Sequence, residues 1–483
     1  MKKKFLSNLF LIVILNILIK PIYILGIDAE VINRVGEYKY GQYFAIINLT
    51  FVLNIFLDLG INNFNTKNIA QHGFLLKKYF SKIISLKITL SFFYFLIIII
   101  FGYFFKYDLK LLLLLAFNQF LAVFILFFRS NLAGLHMFFH DSIISVLDRF
   151  LLVIICSILL WGSVFSSPFK IEWFVYAQTI SYLISACLAL KFLSKRIVSL
   201  SINWNFLLSI AILKKSLPYA LLIMLMTIYY RLDVLMLEVI VGPQEAGLYA
   251  TSYRFFEASN MIAFLFAVLL LPIFSRLLKN NKSINELTFV SFKILMTISV
   301  TIFLLCFFFN EEIIFFRYSN GTFVDLENVL IQSSLILPIL MGCFVCVSLT
   351  YIFGTLLTAN GNLRYLNYVS LIGVIINITL NLILIPYYGA LGSALTSLFT
   401  QLFVTLFQIY FCFKLFKLEP LRKFLVPFFL FFIGLFLIGK ITYNIFAIWY
   451  VNMFIFGLLS IIWSFMTKMI SLDYIKVIIS NKI

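Results

Sequence analysis

Long apolar segments follow one another through almost the whole chain, and they constrain its fold more than any other feature. A membrane-spanning helix needs about 20 mostly apolar residues, because a helix satisfies its own backbone hydrogen bonds in lipid. We therefore predict an all-α integral membrane protein with about 14 transmembrane helices. The predicted spans are approximately 5–27, 42–63, 82–104, 110–130, 143–164, 172–193, 217–241, 247–272, 288–309, 329–357, 365–387, 390–412, 424–442 and 447–467.

The composition excludes a water-soluble protein. Hydrophobic residues make up 63% of the chain and charged residues 12%, and the mean hydropathy is +1.08. The 37 basic and 19 acidic residues are too few to cover 483 residues with a hydrated surface. Most of the molecular surface must therefore contact lipid.

The charges alternate from one side of the predicted membrane to the other. Connections after even-numbered spans are basic and include Lys77, Lys78 and Lys195, whereas the opposite connections include Glu311 and Glu312. Cytoplasmic loops carry an excess of Lys and Arg, so we predict that both termini are cytoplasmic. The net charge of +18 then reflects topology and contact with membrane lipid, and nucleic-acid binding is not expected.

A short motif occurs twice. The chain reads VGEYKYGQY at 35–43 and VGPQEAGLY at 241–249. Two tight turns could each need glycine, but this explains neither the shared Val nor the shared Tyr. Three positions of the motif recur 206 residues later: Gly36, Gly41 and Tyr43 correspond to Gly242, Gly247 and Tyr249.

The repeat predicts two pseudo-symmetric lobes of six helices each. Six spans separate the copies, so both halves enter the membrane in the same direction and an axis along the membrane normal relates them. We predict an N-lobe at 1–200, a C-lobe at 201–416 and two further helices within 417–483. An amphipathic helix at 203–216 is expected to link the lobes along the inner membrane face, and the alternative is that this stretch begins the seventh span.

Sequence motifs for catalysis and for metal or cofactor binding are weak or missing. No phosphate-binding G-x-x-x-x-G-K-[S/T] loop is present. His136, His140 and Asp141 have a spacing that could hold a metal, but interface contacts are the favoured interpretation. Cys343 and Cys346 lie inside a span and are interpreted as packing residues. We predict a protein that is not an enzyme and holds no metal or cofactor.

Some charged residues inside the spans lie close to a cytoplasmic end. Lys87 and Lys293 are about five residues from such an end, and a long side chain can reach the membrane surface from there. Asp58 has a similar position in the second span. We therefore interpret these three residues as structural.

Other charges lie deeper. Arg231 and Asp233 fall near the middle of the seventh span, about 200° apart around a helix, and Glu238 lies near its outer end. Arg254 and Glu257 have the i, i+3 spacing of a helical ion pair. A charge at the centre of a span costs about 2.5–3.5 kcal/mol, so it usually faces a cavity or a partner.

These deeper charges lead to a functional hypothesis. Lys20, beside the helix-distorting Pro21, joins Arg231 and Arg254 around a central cavity between the lobes, and Asp233 and Glu257 support them or exchange ions. Because a guanidinium group suits phosphate, the substrate is expected to be anionic. The alternative is a set of internal salt bridges that only hold helices together.

Two long stretches resemble a known family. YYRLDVLMLEVIVGPQEAGLYATSYRFFEASNMIAFLFAVLLLPIFSRL (229–277) resembles the seventh and eighth spans of polysaccharide-export flippases of the multidrug/oligosaccharidyl-lipid/polysaccharide (MOP) superfamily. TANGNLRYLNYVSLIGVIINITLNLILIPYYGALGSALTSLFTQLF (358–403) is similar to their tenth to twelfth spans. The likeness is greatest to the O-antigen (Wzx-type) flippases, and it extends over essentially the whole chain.

The resemblance implies a MATE-like fold and a flippase of the bacterial inner membrane. Its substrate would be undecaprenyl-diphosphate-linked oligosaccharide for O-antigen, a part of lipopolysaccharide, or for a related surface polysaccharide. Alternating access would move this substrate outward. The resemblance leaves open whether transport is coupled to H⁺ or Na⁺ and whether the protein contacts polymerase machinery. The diphosphate would meet Arg231, Arg254 and Lys20.

Two other functions are considered. A multidrug or cation efflux antiporter of the same fold would favour an acidic cavity, and the three cations argue against it. A membrane polysaccharide polymerase would need a substantial outside loop with catalytic groups, whereas the longest polar outside stretch, 310–328, is short.

Overall fold

Helices form all the regular secondary structure in the described part of the chain. The computed structural model describes residues 14–62, 65, 75–135, 137–162, 167–194, 204–416, 418 and 422–471. Eleven helices in these ranges are long and apolar enough to cross a membrane. The predicted all-α membrane fold is confirmed.

The helices follow the predicted spans closely. A π-helical segment, Ile22–Asp28, directly follows Pro21, where a distortion was predicted. In chain order, the helices after it are α1 (Ala29–Leu53), α2 (Ile55–Asp58), α3 (Leu75–Phe104), α4 (Leu109–Gly134), α5 (Phe138–Trp161), α6 (Ile171–Ser194), α7 (Phe206–Ile240), α8 (Pro243–Lys279), α9 (Asn285–Phe308), α10 (Asn310–Tyr318), α11 (Leu326–Ala359), α12 (Leu363–Phe416), α13 (Arg422–Thr442) and α14 (Trp449–Met466).

Helix α12 explains part of the difference between eleven spanning helices and about fourteen predicted spans. Its 54 residues cover two predicted spans, 365–387 and 390–412. A straight helix of this length would extend about 80 Å, far beyond the thickness of a membrane. Gly389, with φ 52°, interrupts the helical backbone between the two predicted spans.

Helix α7 contradicts the predicted linker helix at 203–216. The Asn205 side chain accepts a hydrogen bond from the Leu208 amide at 2.9 Å and caps a helix that continues unbroken to Ile240. No glycine interrupts this stretch, and Pro218 is accommodated inside the helix. Residues 206–216 therefore begin the same helix as the seventh span, and the prediction of a separate linker helix was wrong.

The described helices form two compact units, Met1–Gly247 and Leu248–Ile483. In unit 1, α1 packs against α7, and α6 packs against both α4 and α5. Phe80 of α3 and Phe127 of α4 stack with ring centroids 5.7 Å apart in its apolar core. The predicted lobes at 1–200 and 201–416 follow the sequence repeat and remain a prediction.

In unit 2, α11 is the central element. It packs against α9, α10 and α12, and α9 also packs against α13 and α14. The last two helices pack against each other, and the Trp463 indole donates a hydrogen bond to the carbonyl oxygen of Phe431 at 3.2 Å.

The first glycine of each repeated motif adopts a backbone conformation that other residues rarely adopt. Gly36 has φ 76° and Gly242 has φ 125°. A side chain strongly disfavours this region, because the β-carbon then collides with the backbone. The two equivalent positions therefore share a conformational requirement as well as a residue type.

The second glycines of the motif make reciprocal close contacts within unit 1. A β-carbon on Gly41 would overlap the carbonyl oxygen of Pro243, and a β-carbon on Gly247 would overlap the carbonyl oxygen of Glu37. Pro243 and Glu37 are themselves equivalent positions, 206 residues apart. The glycine of each motif thus packs against a backbone carbonyl of the other motif. The repeated sequence therefore forms a pseudo-symmetric contact.

Lys87 does not extend to the membrane surface as predicted. It is fully buried, and its ammonium group lies 2.6 Å from Asp58 Oδ1 and 3.3 Å from the Leu57 carbonyl oxygen. The Phe127 ring lies 5.2 Å from the same nitrogen. The structural role was expected, but it arises from a buried ion pair between α2 and α3.

Lys293 is the equivalent of Lys87 in the second half of the chain, 206 residues later. It is 6% exposed, and its ammonium group donates to the Lys468 carbonyl oxygen at 2.8 Å and lies 4.5 Å from the Phe289 ring. Both lysines are thus buried and bound to a backbone carbonyl, and extension to the membrane surface is wrong for Lys293 too. The internal repeat therefore extends beyond the glycine motif.

We expect Lys87→Met to destabilise the protein by about 3–5 kcal/mol, because it leaves the Asp58 carboxylate without its buried counter-ion. The double variant Lys87→Met/Asp58→Asn should recover much of this loss. Thermal denaturation of the detergent-solubilised protein measures both effects, with Lys110→Met at an exposed position as the control. Equal melting temperatures for Lys87→Met and Lys110→Met would contradict the pairing.

Candidate functional site

Arg231 is held against α1 inside unit 1. Its Nη1 donates a hydrogen bond to Asn48 Oδ1 at 3.3 Å, and its guanidinium carbon lies 4.8 Å from the centroid of the Phe51 ring. The side chain is only partly buried. An amide and a ring therefore orient the guanidinium group.

The two carboxylates of α7 have different surroundings. Asp233 is 2% exposed, one of the most deeply buried charged residues in the described chain. Glu238 is partly buried, and its Oε2 accepts a hydrogen bond from the Tyr107 hydroxyl at 2.7 Å. The predicted contrast between a deep Asp233 and a peripheral Glu238 concerns their depth in the membrane and stays a prediction.

Arg254 and Glu257 of α8 form the ion pair that their spacing predicts. Arg254 Nη1 donates to Glu257 Oε2, and the arginine is 6% exposed. The Glu257 side chain retains 23% exposure. An anionic ligand that approached Arg254 would thus compete with a carboxylate already bound to it.

Lys20 lies in a cluster of charged residues from three helices. It is half-buried, and Arg149, Asp148 and Arg129 are its strongest charged neighbours. Arg129 is neutralised by Asp141, with Nε 2.7 Å from Oδ1. Lys20 and Arg149 therefore both lie close to the Asp148 carboxylate.

Arg149 is the functional candidate that sequence reasoning missed. Its guanidinium carbon lies 4.7 Å from the Tyr23 ring centroid and 5.6 Å from the Tyr182 centroid, and its Nε lies 3.7 Å from Asp148 Oδ2. The Arg149 side chain keeps 24% exposure. Two buried rings therefore hold a guanidinium group on a side chain that remains partly exposed.

The sequence contained a signal for this cluster. Asn16, Lys20 and Tyr23 recur at helical spacing and so share one face of the first predicted span. Asn16 donates a hydrogen bond to Ser145 Oγ on α5 at 3.1 Å. Asp148 and Arg149 lie five and six residues inside the predicted fifth span, about as deep as Lys87 and Lys293, so depth along the span did not single them out.

The residues considered for metal binding have other contacts. Asp141 binds Arg129, and the His140 ring lies against Phe192 with centroids 4.7 Å apart. His136 lies outside the described residues. Among the residues that the structure describes, no group of three or more His, Cys, Asp or Glu side chains could hold a metal ion.

Comparison with known proteins gives a family match and a fold. The family model described as "Polysaccharide biosynthesis protein" matches residues 5–278, more than half of the chain. No curated protein matches the chain.

The solved structures that resemble this chain are transporters. A structure titled "Lipid II flippase MurJ, inward closed conformation" has a TM-score of 0.70 at 17% identity and covers 95% of this chain and 97% of its own. An inward-facing multidrug resistance MATE family transporter of the MOP superfamily has a TM-score of 0.63 at 12% identity, with 83% and 96% covered. A MOP superfamily transporter from Pyrococcus furiosus, whose title describes a binding pocket of reversed polarity, has a TM-score of 0.55 at 14% identity, with 84% and 94% covered.

These identities show a shared fold only, and the family assignment comes from the sequence model. Both agree with the resemblance seen in the sequence. The chain belongs to the polysaccharide biosynthesis protein family and has the fold of the MOP superfamily transporters.

Proposed function

We propose that the protein translocates undecaprenyl-diphosphate-linked oligosaccharide across the bacterial inner membrane by alternating access. The cargo would be the repeat unit of O-antigen or of a related surface polysaccharide. Membership of the polysaccharide biosynthesis family supports this function, and the similar fold of MurJ, a lipid II flippase by its title, is consistent with it. The protein acts in this proposal as a transporter that supplies polymerase machinery outside.

The observation that carries the proposal is the pair of cations Lys20 and Arg149 in unit 1. Cations inside an apolar helical protein are costly unless a partner or a ligand compensates them. Asp148 lies beside Arg149, and the Arg149 side chain, held between Tyr23 and Tyr182, remains 24% exposed. A diphosphate is a strong anionic ligand for such a group, because a guanidinium can bind it with two parallel hydrogen bonds.

Arg231 and Arg254 have supporting roles in the proposal. Arg231 contributes donors to the diphosphate while Asn48 and Phe51 orient it. Arg254 becomes available when Glu257 is protonated or binds a cation, because Glu257 then releases the guanidinium group. This exchange would couple transport to H⁺ or Na⁺, and Asp233 is a second carboxylate able to take part.

Deletion of the gene in the source organism tests this function. Mass analysis of lipid extracts should then find accumulated diphosphate-linked oligosaccharide, while surface glycan is lost, and the intact gene should restore both. Greater sensitivity to cationic drugs with normal glycan would indicate an antiporter instead. Repeat units that reach the outer surface without polymerisation would indicate a polymerase.

A further inference from the structure

Unit 1 contains a polar pocket that the proposed diphosphate contacts do not use. Its cavity volume is about 420 Å³, within the usual range for small-molecule sites. The walls come from the middle of α1, the α3–α4 connection, the start of α6 and the end of α7. Six charged side chains contribute to its lining: Lys39, Lys106, Lys170, Asp108, Glu172 and Glu238.

The geometry points to a binding site for a neutral saccharide in this pocket. This inference rests on the proposed function for the source of the sugar, which would be the oligosaccharide headgroup of the translocated lipid. The side chains that line the pocket indicate the chemical class of the ligand, a neutral saccharide.

The charges in the pocket balance. Three ammonium groups face three carboxylates, so the formal charge of the lining is zero, and neither an anion nor a cation is favoured overall. Ammonium groups only donate hydrogen bonds, and carboxylates only accept them. A ligand that satisfies both kinds must supply acceptors as well as donors, and each sugar hydroxyl can act as either.

One wall of the pocket is organised in advance. The Tyr107 hydroxyl donates to Glu238 Oε2 at 2.7 Å and so fixes the carboxylate in place. Burial and the nearby Glu238 carboxylate raise the pKa of Tyr107 above its ordinary value, so the hydroxyl stays protonated and remains a donor. The rings of Phe105 and Tyr107, 5.9 Å apart, add apolar surface against which the C–H face of a sugar could pack.

The position of the pocket agrees with the predicted topology. Its walls come from the connections after the first, third and fifth predicted spans and from the outer end of the seventh. The charge pattern assigns all of these to the extracytoplasmic side. A sugar headgroup leaving the membrane would therefore meet this pocket on the side where it is released.

Binding to the purified full-length protein in detergent tests the inference. The probe is the oligosaccharide that mild acid releases from the surface glycan of the source cells. Saturation-transfer NMR measures its binding to the protein. We expect binding that weakens at least tenfold in Glu238→Gln and in Lys170→Gln. Lys110→Gln, at an exposed position outside the lining, should bind as the wild type does.

Lys170→Gln, at an exposed residue, keeps the test valid should Glu238→Gln misfold. Absence of oligosaccharide binding, or equal binding by all three variants, would overturn the inference. Inorganic pyrophosphate serves as a second probe, and competition by it would show an anion site instead. If only the saccharide pocket is wrong, the deletion strain still accumulates lipid-linked sugar. If the proposed function is wrong, the deletion strain does not accumulate it.

Discussion

Alanine at Gly247 should lower the stability of the protein markedly. The added β-carbon would overlap the carbonyl oxygen of Glu37, which belongs to the backbone of α1 and cannot rotate away. Overpacking typically costs about 1–3 kcal/mol, and a collision between two backbones should cost about 3 kcal/mol or more. Because a whole protein is stable by only about 5–15 kcal/mol, the melting temperature should fall by about 5 °C or more.

The reciprocal variant Gly41→Ala should have a similar effect, because its β-carbon would overlap the Pro243 carbonyl oxygen. Gly457→Ala is the matched control, since a β-carbon there meets nothing within 4 Å and alanine is the better helix former. Fluorescence-detected size-exclusion chromatography after heating compares the three. If Gly41→Ala and Gly247→Ala were as stable as Gly457→Ala, the close contact between the two motifs would be disproved.

Replacement of Arg149 by Gln should stop export while the protein still reaches the membrane. A hydrogen bond to a charged group contributes about 1.5–3 kcal/mol, so loss of one diphosphate contact should reduce transport about 10- to 100-fold. Surface glycan, measured by immunoblot in a complemented deletion strain, should fall accordingly. Lipid-linked precursor should accumulate in the inner leaflet.

Arg231→Ala and Arg254→Ala should give the same phenotype. Arg149→Lys should recover only part of the activity, because an ammonium group keeps the charge but loses the two-pronged geometry. Arg34→Ala controls for the loss of an exposed arginine, whose ion pair with Glu30 contributes little. Normal glycan in the Arg149, Arg231 and Arg254 variants, at normal protein levels, would rule out the proposed role of these arginines in transport.

The architecture was predictable because lipid imposes one rule on every spanning segment. Helix lengths and the all-α fold follow from apolar runs, and the repeated motif marks equivalent turns. The continuous helix α7 was only the alternative interpretation, because polar residues in 203–216 favoured a separate amphipathic helix. The break at Gly389 fell where two predicted spans met.

The candidate site was only partly predictable. Charge depth along a span identified Arg231 and the Arg254–Glu257 pair, since both depend on one helix. Arg149 depends on three helices, because Tyr23 and Tyr182 reach it from different elements. The approach of these two rings to Arg149 depends on tertiary packing, so the sequence of one helix alone does not predict it. Burial of Lys87 escaped prediction for the same reason, since Asp58 lies on a neighbouring helix.

The contact between Lys293 and the Lys468 carbonyl gives the residues that follow α14 a structural role. The carbonyl follows α14 directly, so the last two helices supply charge compensation to the interior of unit 2. A chain shortened before residue 468 would lose that oxygen from a lysine that is 6% exposed. Fusion partners and truncations are therefore best placed beyond residue 471, where they leave this internal bond intact.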